Sequence, residues 1–353
     1  MSSNSDAAGI QQLAGAVDRL LAMVQCLSIC SRSSMPERRM AACIVEGVTF
    51  VTRPRRLIQV GAFMELAVCS AAISLLCVIA CPFAFAGSQH GVSIKVFTSQ
   101  DDQFWTNSVM IEGVHEVMLV DAQLTKTNAE RVLQEIKETQ KPLSLIYITH
   151  EHADHFLGLE VFRGAYPRVR IIATAAVVAR IRKVYQEKID KWKQLLASSA
   201  TTHVVPIEQF DGNTITFESS HIQVLKHIQG DTDENTMLWI PGQRILVGGD
   251  VVFSNMHVYT AETDSQARGK WLNSLNTIRA LQPSVVIPGH SKVGVPLDAS
   301  TAVAFTETYL LVFEEELTKA KDPDSLIKAM KERFPSADLL LAIERGATAN
   351  VKP

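Results

Sequence analysis

Three histidines and an aspartate fall within six positions at the end of an apolar run: Leu143–Thr149 (LSLIYIT) leads directly into His150-Glu151-His152-Ala153-Asp154-His155. The run has the β-branched, apolar character of a buried strand, and a helical pattern starts near Asp154, so the cluster sits on a strand-to-helix turn. In such a turn His150 and His152 point the same way, while Asp154 and His155 turn to the other side. That arrangement offers two imidazoles to one metal ion and a carboxylate plus an imidazole to a second. These donors suit Zn²⁺, and Fe or Mn as well. The bland alternative is a solvated histidine cluster on the surface.

The chain around this cluster has 353 residues, of which 47% are hydrophobic and 20% charged. That composition supports a sizeable core and excludes a disordered protein. The formal charge of −3 gives no electrostatic reason to expect nucleic acid as a partner. All six cysteines lie between Cys26 and Cys81, which excludes a disulfide scaffold covering the whole chain.

Leu66 to Ala86 is a run of 21 residues without a charge, long enough to cross a hydrocarbon core of roughly 30 Å. Arg53, Arg55 and Arg56 precede it, which by the positive-inside rule keeps the N-terminus cytoplasmic and exports the chain from Gly87 onwards. Ala84-Phe85-Ala86 also suits signal cleavage before Gly87, and Val78-Ile79-Ala80-Cys81 resembles a lipoprotein signal. Met64 stands just ahead of the run, so translation starting there or at Met40 is a further expectation. The expected organisation is a poorly ordered extension over 1–62 with an amphipathic helix at Gln11–Cys30, a signal or membrane anchor over 63–87, and a catalytic domain over 88–353. Localisation is then periplasmic, secreted or membrane-anchored. Seven basic and five acidic residues precede Gly87, whereas 27 and 32 lie from Gly87 to the end, the wrong balance for RNA binding by the catalytic part.

From residue 88 the pattern is α/β. Strands are expected at Val92–Thr98, Ser108–Glu112, Glu116–Val120, Leu143–Thr149 and Val169–Ala173, with helices over Asn128–Thr139 (capped by Thr127 or Asn128) and Ala175–Leu196. Two more strand groups, Thr214–Lys226 and Thr236–Val252, precede a helix over Ser265–Leu281, a strand at Ser284–Ile287 and a helical C-terminus. Two successive sets of strands with interspersed helices suit two packed sheets covered by helices.

The run at His150–His155 resembles the H-x-H-x-D-H signature of the metallo-β-lactamase fold superfamily, and two later landmarks stand in the right order. Gly248-Gly249-Asp250 ends one strand, and Pro288-Gly289-His290 ends another. Over roughly residues 92–295 the resemblance implies an αββα four-layer sandwich with two divalent metal ions, Zn²⁺ first among the options, in a cleft at the strand ends. It implies His150 and His152 on the first metal, Asp154, His155 and His290 on the second, and Asp250 bridging. Asp154 would also orient or deprotonate the attacking water. Two cations lower the pKa of bound water towards ~7 and polarise the oxygen of the scissile group.

One landmark departs from the pattern. The family usually places a third first-metal histidine in G-H-T, where this chain reads His227-Ile228-Gln229-Gly230-Asp231-Thr232-Asp233-Glu234-Asn235-Thr236. Asp231 takes that place in the usual spacing; with a two-residue insertion Gln229 falls there, and His227 is near enough to substitute through a shift. A carboxylate is a competent zinc ligand and a neutral amide a weak one, so Asp231 is preferred over a DTDEN run that is merely a solvated turn.

The implied activity is hydrolysis of an ester, lactone, thioester or related bond in a small molecule. Dedicated β-lactam hydrolases of the family carry Cys or Ser at the bridging position, so Asp250 disfavours that substrate, and export disfavours a cytosolic glutathione thioester. The alternative is a degenerate member that binds a ligand without turnover, motivated by the missing histidine. Met256, His257 and Tyr259 are expected near the cleft mouth, His257 or Tyr259 as an oxyanion donor, against a bland reading as a packed loop. His90, His115, His203 and His221 read as ordinary histidines, Trp271 as a core residue, and Lys183–Lys193 (KVYQEKIDKWK) as the solvated face of a helix.

Overall fold

The computed structural model of the chain describes residues 91–100 and 104–352. The expected extension, the Gln11–Cys30 helix, the apolar run 66–86 and His90 lie outside the described residues. Among the described residues, no helix is long and apolar enough to cross a membrane.

Six strands form the first sheet in the order of the chain: β1 (Ser93–Thr98), β2 (Asn107–Glu112), β3 (Val117–Val120), β4 (Leu143–Tyr147), β5 (Arg170–Ala173) and β6 (Glu208–Gln209). The first three are antiparallel, and β3 to β6 run parallel. Parallel neighbours need crossovers, supplied here by α1 (Lys126–Glu138) between β3 and β4, and by α2 (Ala153–Phe156) and α3 (Leu159–Ala165) between β4 and β5. The long α4 (Ala175–Leu196) connects β5 to β6. The α1 cap is Thr125, whose side chain accepts from the amide of Asn128, two residues ahead of the earliest expected cap.

The second sheet has the order β11-β10-β9-β8-β7, with β7 (Thr214–Phe217), β8 (Ser220–Ile228), β9 (Asn235–Ile240), β10 (Ile245–Ser254) and β11 (Val285–Ser291). The two expected strand groups are therefore the antiparallel hairpins β7–β8 and β9–β10. Around this sheet lie α5 (Ser265–Leu281), α6 (Ala299–Leu317), α7 (Pro323–Arg333) and α8 (Leu340–Asn350).

Side-chain alternation along the strands explains how the layers stack. Val117 and Leu119 of β3 pack with α1 residues Val132 and Ile136, whereas Met118 and Val120 face Leu238 and Ile240 of the second sheet. On β9 the pattern is mirrored, with Met237 and Trp239 turned towards Trp271 of α5 and Tyr309 of α6. Trp271 is a core residue as expected, fully buried, its indole N–H donating to the Val251 carbonyl at 2.8 Å. Because β3, β4 and β5 are covered on both faces they read as continuous apolar runs. The result is a mixed α/β arrangement of two sheets and flanking helices, consistent with the metallo-β-lactamase fold.

Candidate metal centre

The sequence motifs meet where the parallel strands of both sheets end, the usual place for a ligand in an open α/β sheet. β4 delivers Thr149 and His150, the turn after it His152, and α2 carries Asp154 and His155. Asp250 lies inside β10 where its pairing with β11 loses register, between Gly249–Pro288 and Phe253–His290. Such irregularities re-aim a side chain. Gly249 there has φ +52 and its missing side chain faces Thr149, while a Cβ on Gly289 would run into the Asp250 carboxylate. Both glycines let backbone approach the site more closely than any other residue allows.

Two adjoining groups result: His150, His152, Asp231 and Asp250, and Asp154, His155 and His290. In the first, Asp231 Oδ2 lies 2.8 Å from His152 Nδ1 and 3.9 Å from His150 Nε2. Asp250 stands between the groups, with Oδ2 3.6 Å from His150 Nε2 and 2.9 Å from His290 Nε2, and Oδ1 3.3 Å from His155 Nε2. Asp154 Oδ2 is 3.5 Å from His155 Nε2 and 3.6 Å from His290 Nε2.

The outer hydrogen bonds fix which nitrogen of each histidine faces inward. Asp121, the residue after β3, accepts from His155 Nδ1 at 2.8 Å, from the Thr149 amide at 2.8 Å and from the Thr149 hydroxyl at 2.8 Å. With its own proton so committed, Thr149 Oγ1 accepts from His150 Nδ1 at 3.0 Å. His290 Nδ1 donates to the Phe104 carbonyl at 2.7 Å, and His152 Nε2 to Glu262 Oε1 at 3.1 Å. With the outer nitrogens donating, each ring that gives up its inner proton turns a lone pair to the centre, the tautomer a metal ligand requires; in the ion-free geometry His152 Nδ1 and His290 Nε2 face the Asp231 and Asp250 carboxylates at 2.8 and 2.9 Å. Consistent with this, the inward atoms His150 Nε2, His155 Nε2 and Asp250 Oδ1 are buried with no well-formed hydrogen bond. Orphaned buried polar atoms of this kind call for an ion. The residues fit divalent cations.

The neighbouring carboxylates favour a proton on most of these rings. Burial disfavours the protonated ring of every one of these histidines, but Asp231 and Glu262 lift His152 well above its ordinary value, and Asp250, Asp154 and Asp121 do the same for His155. His290 is raised too, burial being outweighed by Asp250 and Asp154. His150 is pushed well below the usual range, first by burial and then by His155. Burial lifts Asp231 to about 6, whereas Asp250 is held well below the carboxylate range because His290, His155 and His150 outweigh its burial. Protons and metal ions compete for the same inward atoms.

Of the three candidates for the odd position, Asp231 alone reaches the histidines. It is fully buried, and Asn235 Nδ2 donates to its Oδ1 at 2.9 Å, so Asp231, Thr232 and Asn235 of the DTDEN run are internal while Asp233 forms its exposed turn. Gln229 spends its amide on the carbonyls of Gly230 and Thr232. His227 adopts φ +54 and turns out to Glu234 at 2.7 Å, with 70% of its side chain exposed. Of the histidines outside the cluster, His203 pairs at the surface with Glu160.

Near the mouth the structure divides the expected residues. Tyr259 lines the cleft and meets the His152 ring edge-on at 5.3 Å between centroids. His257 does not reach the cleft: it is fully buried, with Nδ1 3.0 Å from the Tyr309 hydroxyl, and burial pushes its pKa down to about 4. β10 ends at Ser254, and the turn at Asn255 (φ +54) carries both His257 and Met256 into the helical layer, where Met256 is also fully buried. The KVYQEKIDKWK helix departs from expectation as well, because Lys188, Lys191 and Trp192 line the cleft. Asp121 lies outside the motifs; its one signal in the sequence is an acid placed directly after the wholly apolar strand VMLV.

Two sheets whose strand ends converge on such a His/Asp centre define a metal-dependent hydrolase. Residues 102–290 match the family described as the metallo-beta-lactamase superfamily, and the chain belongs to that superfamily. Among curated proteins it is 24% identical over 264 residues to a linear primary-alkylsulfatase of Pseudomonas sp. (strain ATCC 19151), covering 63% of this chain and 49% of that one. It is 21% identical to a type 2 metallo-beta-lactamase of Bacillus sp. (strain 170), covering 54% of this chain and 68% of the other. The chain thus spans about half the length of the alkylsulfatase. Among solved structures, a metallo-beta-lactamase family protein from Thermus thermophilus superposes with a TM-score of 0.55 at 18% identity, over 74% of this chain and 90% of that one, a likeness of fold.

Proposed function

We propose that the protein is a dinuclear hydrolase built on an αββα sandwich, acting on an ester, lactone, thioester or related bond of a small molecule. His150, His152 and Asp231 would hold one divalent cation, Asp154, His155 and His290 the other, with Asp250 between them. The observation that carries this reading is the position of Asp250, whose two oxygens face histidines of both groups. When bound, the cations supply Lewis acidity towards the scissile group and acidify water. Asp154 lines the cleft and is fixed by the Thr106 hydroxyl at 2.7 Å. It takes the proton of the attacking water as oxygen adds to the acyl, sulfuryl or phosphoryl centre, then returns it to the leaving group as that bond breaks. Tyr259, at the edge of the same cleft, is placed to donate to the oxygen that gathers charge.

A carboxylate in the third position keeps a full donor set, which favours turnover over ligand binding alone. Asp250 and the alkylsulfatase relative favour ester-type substrates over β-lactams. Export of residues 88–353 behind the 66–86 run, as a cleaved signal or an anchor, completes the proposal; N-terminal sequencing of the mature protein from fractionated cells distinguishes the two. The functional test is metal analysis of the reconstituted full chain, then assays with a lactone, a thioester, a phosphodiester, an alkyl sulfate and a cephalosporin. We expect close to two metals per chain and turnover of an ester-type member, with the cephalosporin the poorest. Absence of bound transition metal after reconstitution overturns the reading.

A further inference from the structure

The cleft in front of the His/Asp groups measures about 250 Å³, room for a small molecule. Its outer wall comes from α4 and α8. Lys188, Lys191 and Trp192 fall within one turn or so of α4, and Leu341 and Arg345 stand four residues apart on one face of α8. Phe104 meets Trp192 edge-on at 5.5 Å, so an aromatic pair and a leucine sit beside three cations.

Those cations are little used by the fold. Among the described residues, no carboxylate lies within the 4.0 Å of an ion pair from Lys188, Lys191 or Arg345. Arg180, earlier on the same helix, is by contrast tied to both Glu151 and Asp233. Lys188 donates to the Glu151 carbonyl at 2.8 Å and keeps two N–H groups to spare. Burial lowers its pKa, a cost that a bound anion would offset. Arg345 lines the cleft together with Tyr259, at the border between wall and metal centre. Of the five carboxylates in the cleft, Asp154, Asp231 and Asp250 belong to the His/Asp groups and Glu262 accepts from His152; Glu262, Asp154 and Asp231, with Glu151, act on Lys188 from a distance, and Glu187 is the remaining cleft carboxylate beside Lys191 and Arg345.

We infer that the substrate is an amphiphilic anion. Its apolar body lies against Phe104, Trp192 and Leu341, and Lys191 and Arg345, helped by Lys188, hold a carboxylate or similar oxyanion separate from the bond that is cleaved. This inference rests on the hydrolase reading of the same cleft, so its test has one arm that needs no turnover.

In that arm, octane-1-sulfonate, which has no hydrolysable bond, and 1-octanol are titrated into the metal-loaded full chain and monitored by tryptophan fluorescence, with Trp192→Phe identifying the reporting ring. The expected result is sulfonate binding about tenfold tighter than octanol at low salt and weakening as salt rises. The Lys191→Gln/Arg345→Gln pair should lose about tenfold of the sulfonate affinity. Lys191→Arg/Arg345→Lys should recover most of it, which separates lost charge from lost folding. Equal binding of octanol, or unaltered sulfonate binding in the neutral pair, overturns the inference, since the anion would then be held by the metal centre or not at all.

The second arm compares mono-4-nitrophenyl glutarate with 4-nitrophenyl butanoate. The anionic ester should lead in kcat/KM, and the neutral pair should cut that lead about tenfold, mainly through KM. Turnover without charge preference sinks the anion site and spares the hydrolase. Sulfonate binding governed by the cations, with neither ester turned over, spares the anion site and counts against ester hydrolysis.

Discussion

The floor and the outer wall of the cleft are built on opposite principles. The floor comes from strand ends in the interior, where each histidine is aimed by a second hydrogen bond, and buried Asp121 alone serves His155 and, through Thr149, His150. The wall comes from surface faces of α4 and α8, where Lys191 is exposed and Trp192 and Arg345 are half-buried, with few fixed partners. A pre-aimed floor suits chemistry that tolerates little displacement. A loosely tied wall suits recognition, which different substrates can reshape. The comparison teaches that changes in the floor should act on metal content and rate together, whereas changes in the wall should act on substrate choice.

The largest effect should come from Asp250→Ala, which removes the group common to both halves of the floor. We expect a loss of about 10³-fold or more in kcat/KM, with metal content falling below that of the native chain by elemental analysis. Next is Asp121→Asn, which touches no inward atom yet weakens the bonds that hold two histidines in their tautomers. Metal affinity should drop about 10- to 100-fold in a chelator competition; an unaltered affinity would show that the floor is not braced in the way described.

Acid should act on the floor in the same direction. Ligation needs the Asp231 carboxylate and neutral imidazoles. Asp231, lifted to about 6, and His152, His155 and His290, all lifted, bind protons more readily than unperturbed groups. Metal affinity therefore starts to fall above the ordinary histidine range and falls further as pH drops through about 6, with more protons released per metal bound, which calorimetry in buffers of different ionisation enthalpy measures. The smallest effect should be that of Glu262→Gln at the junction of floor and wall. It keeps a hydrogen bond to His152 and removes a charge from a half-exposed pair, so a few-fold change in metal affinity is expected in the same competition.

The same contrast decides what the sequence reveals. LSLIYIT is legible because β4 is covered on both faces, and the His/Asp run stands out because so many ligating side chains in six positions have no structural use. Asp250 and His290 are legible only through the family resemblance, since one aspartate after GG and one histidine after PG carry little signal of their own. Chemistry favours Asp231, and the buried Asn235 bond shows why a run of polar residues can be internal. The wall is not legible. A helix rich in lysine reads as solvated from its own composition, and no local pattern tells that α4 passes over a cleft. His257 escapes for the related reason that a short loop can turn a residue into the core or out of it without altering the sequence pattern.

Asp231 is where this chain departs from its family, and it anchors the central claim of two complete, adjoining sites. Calorimetric titration of Zn²⁺ into the metal-free full chain, beside Asp231→Ala, tests that claim most directly. The account predicts two sites per native chain and one retained at near-native affinity in the variant. Two undiminished sites in Asp231→Ala, or fewer than two in the native chain, would contradict it.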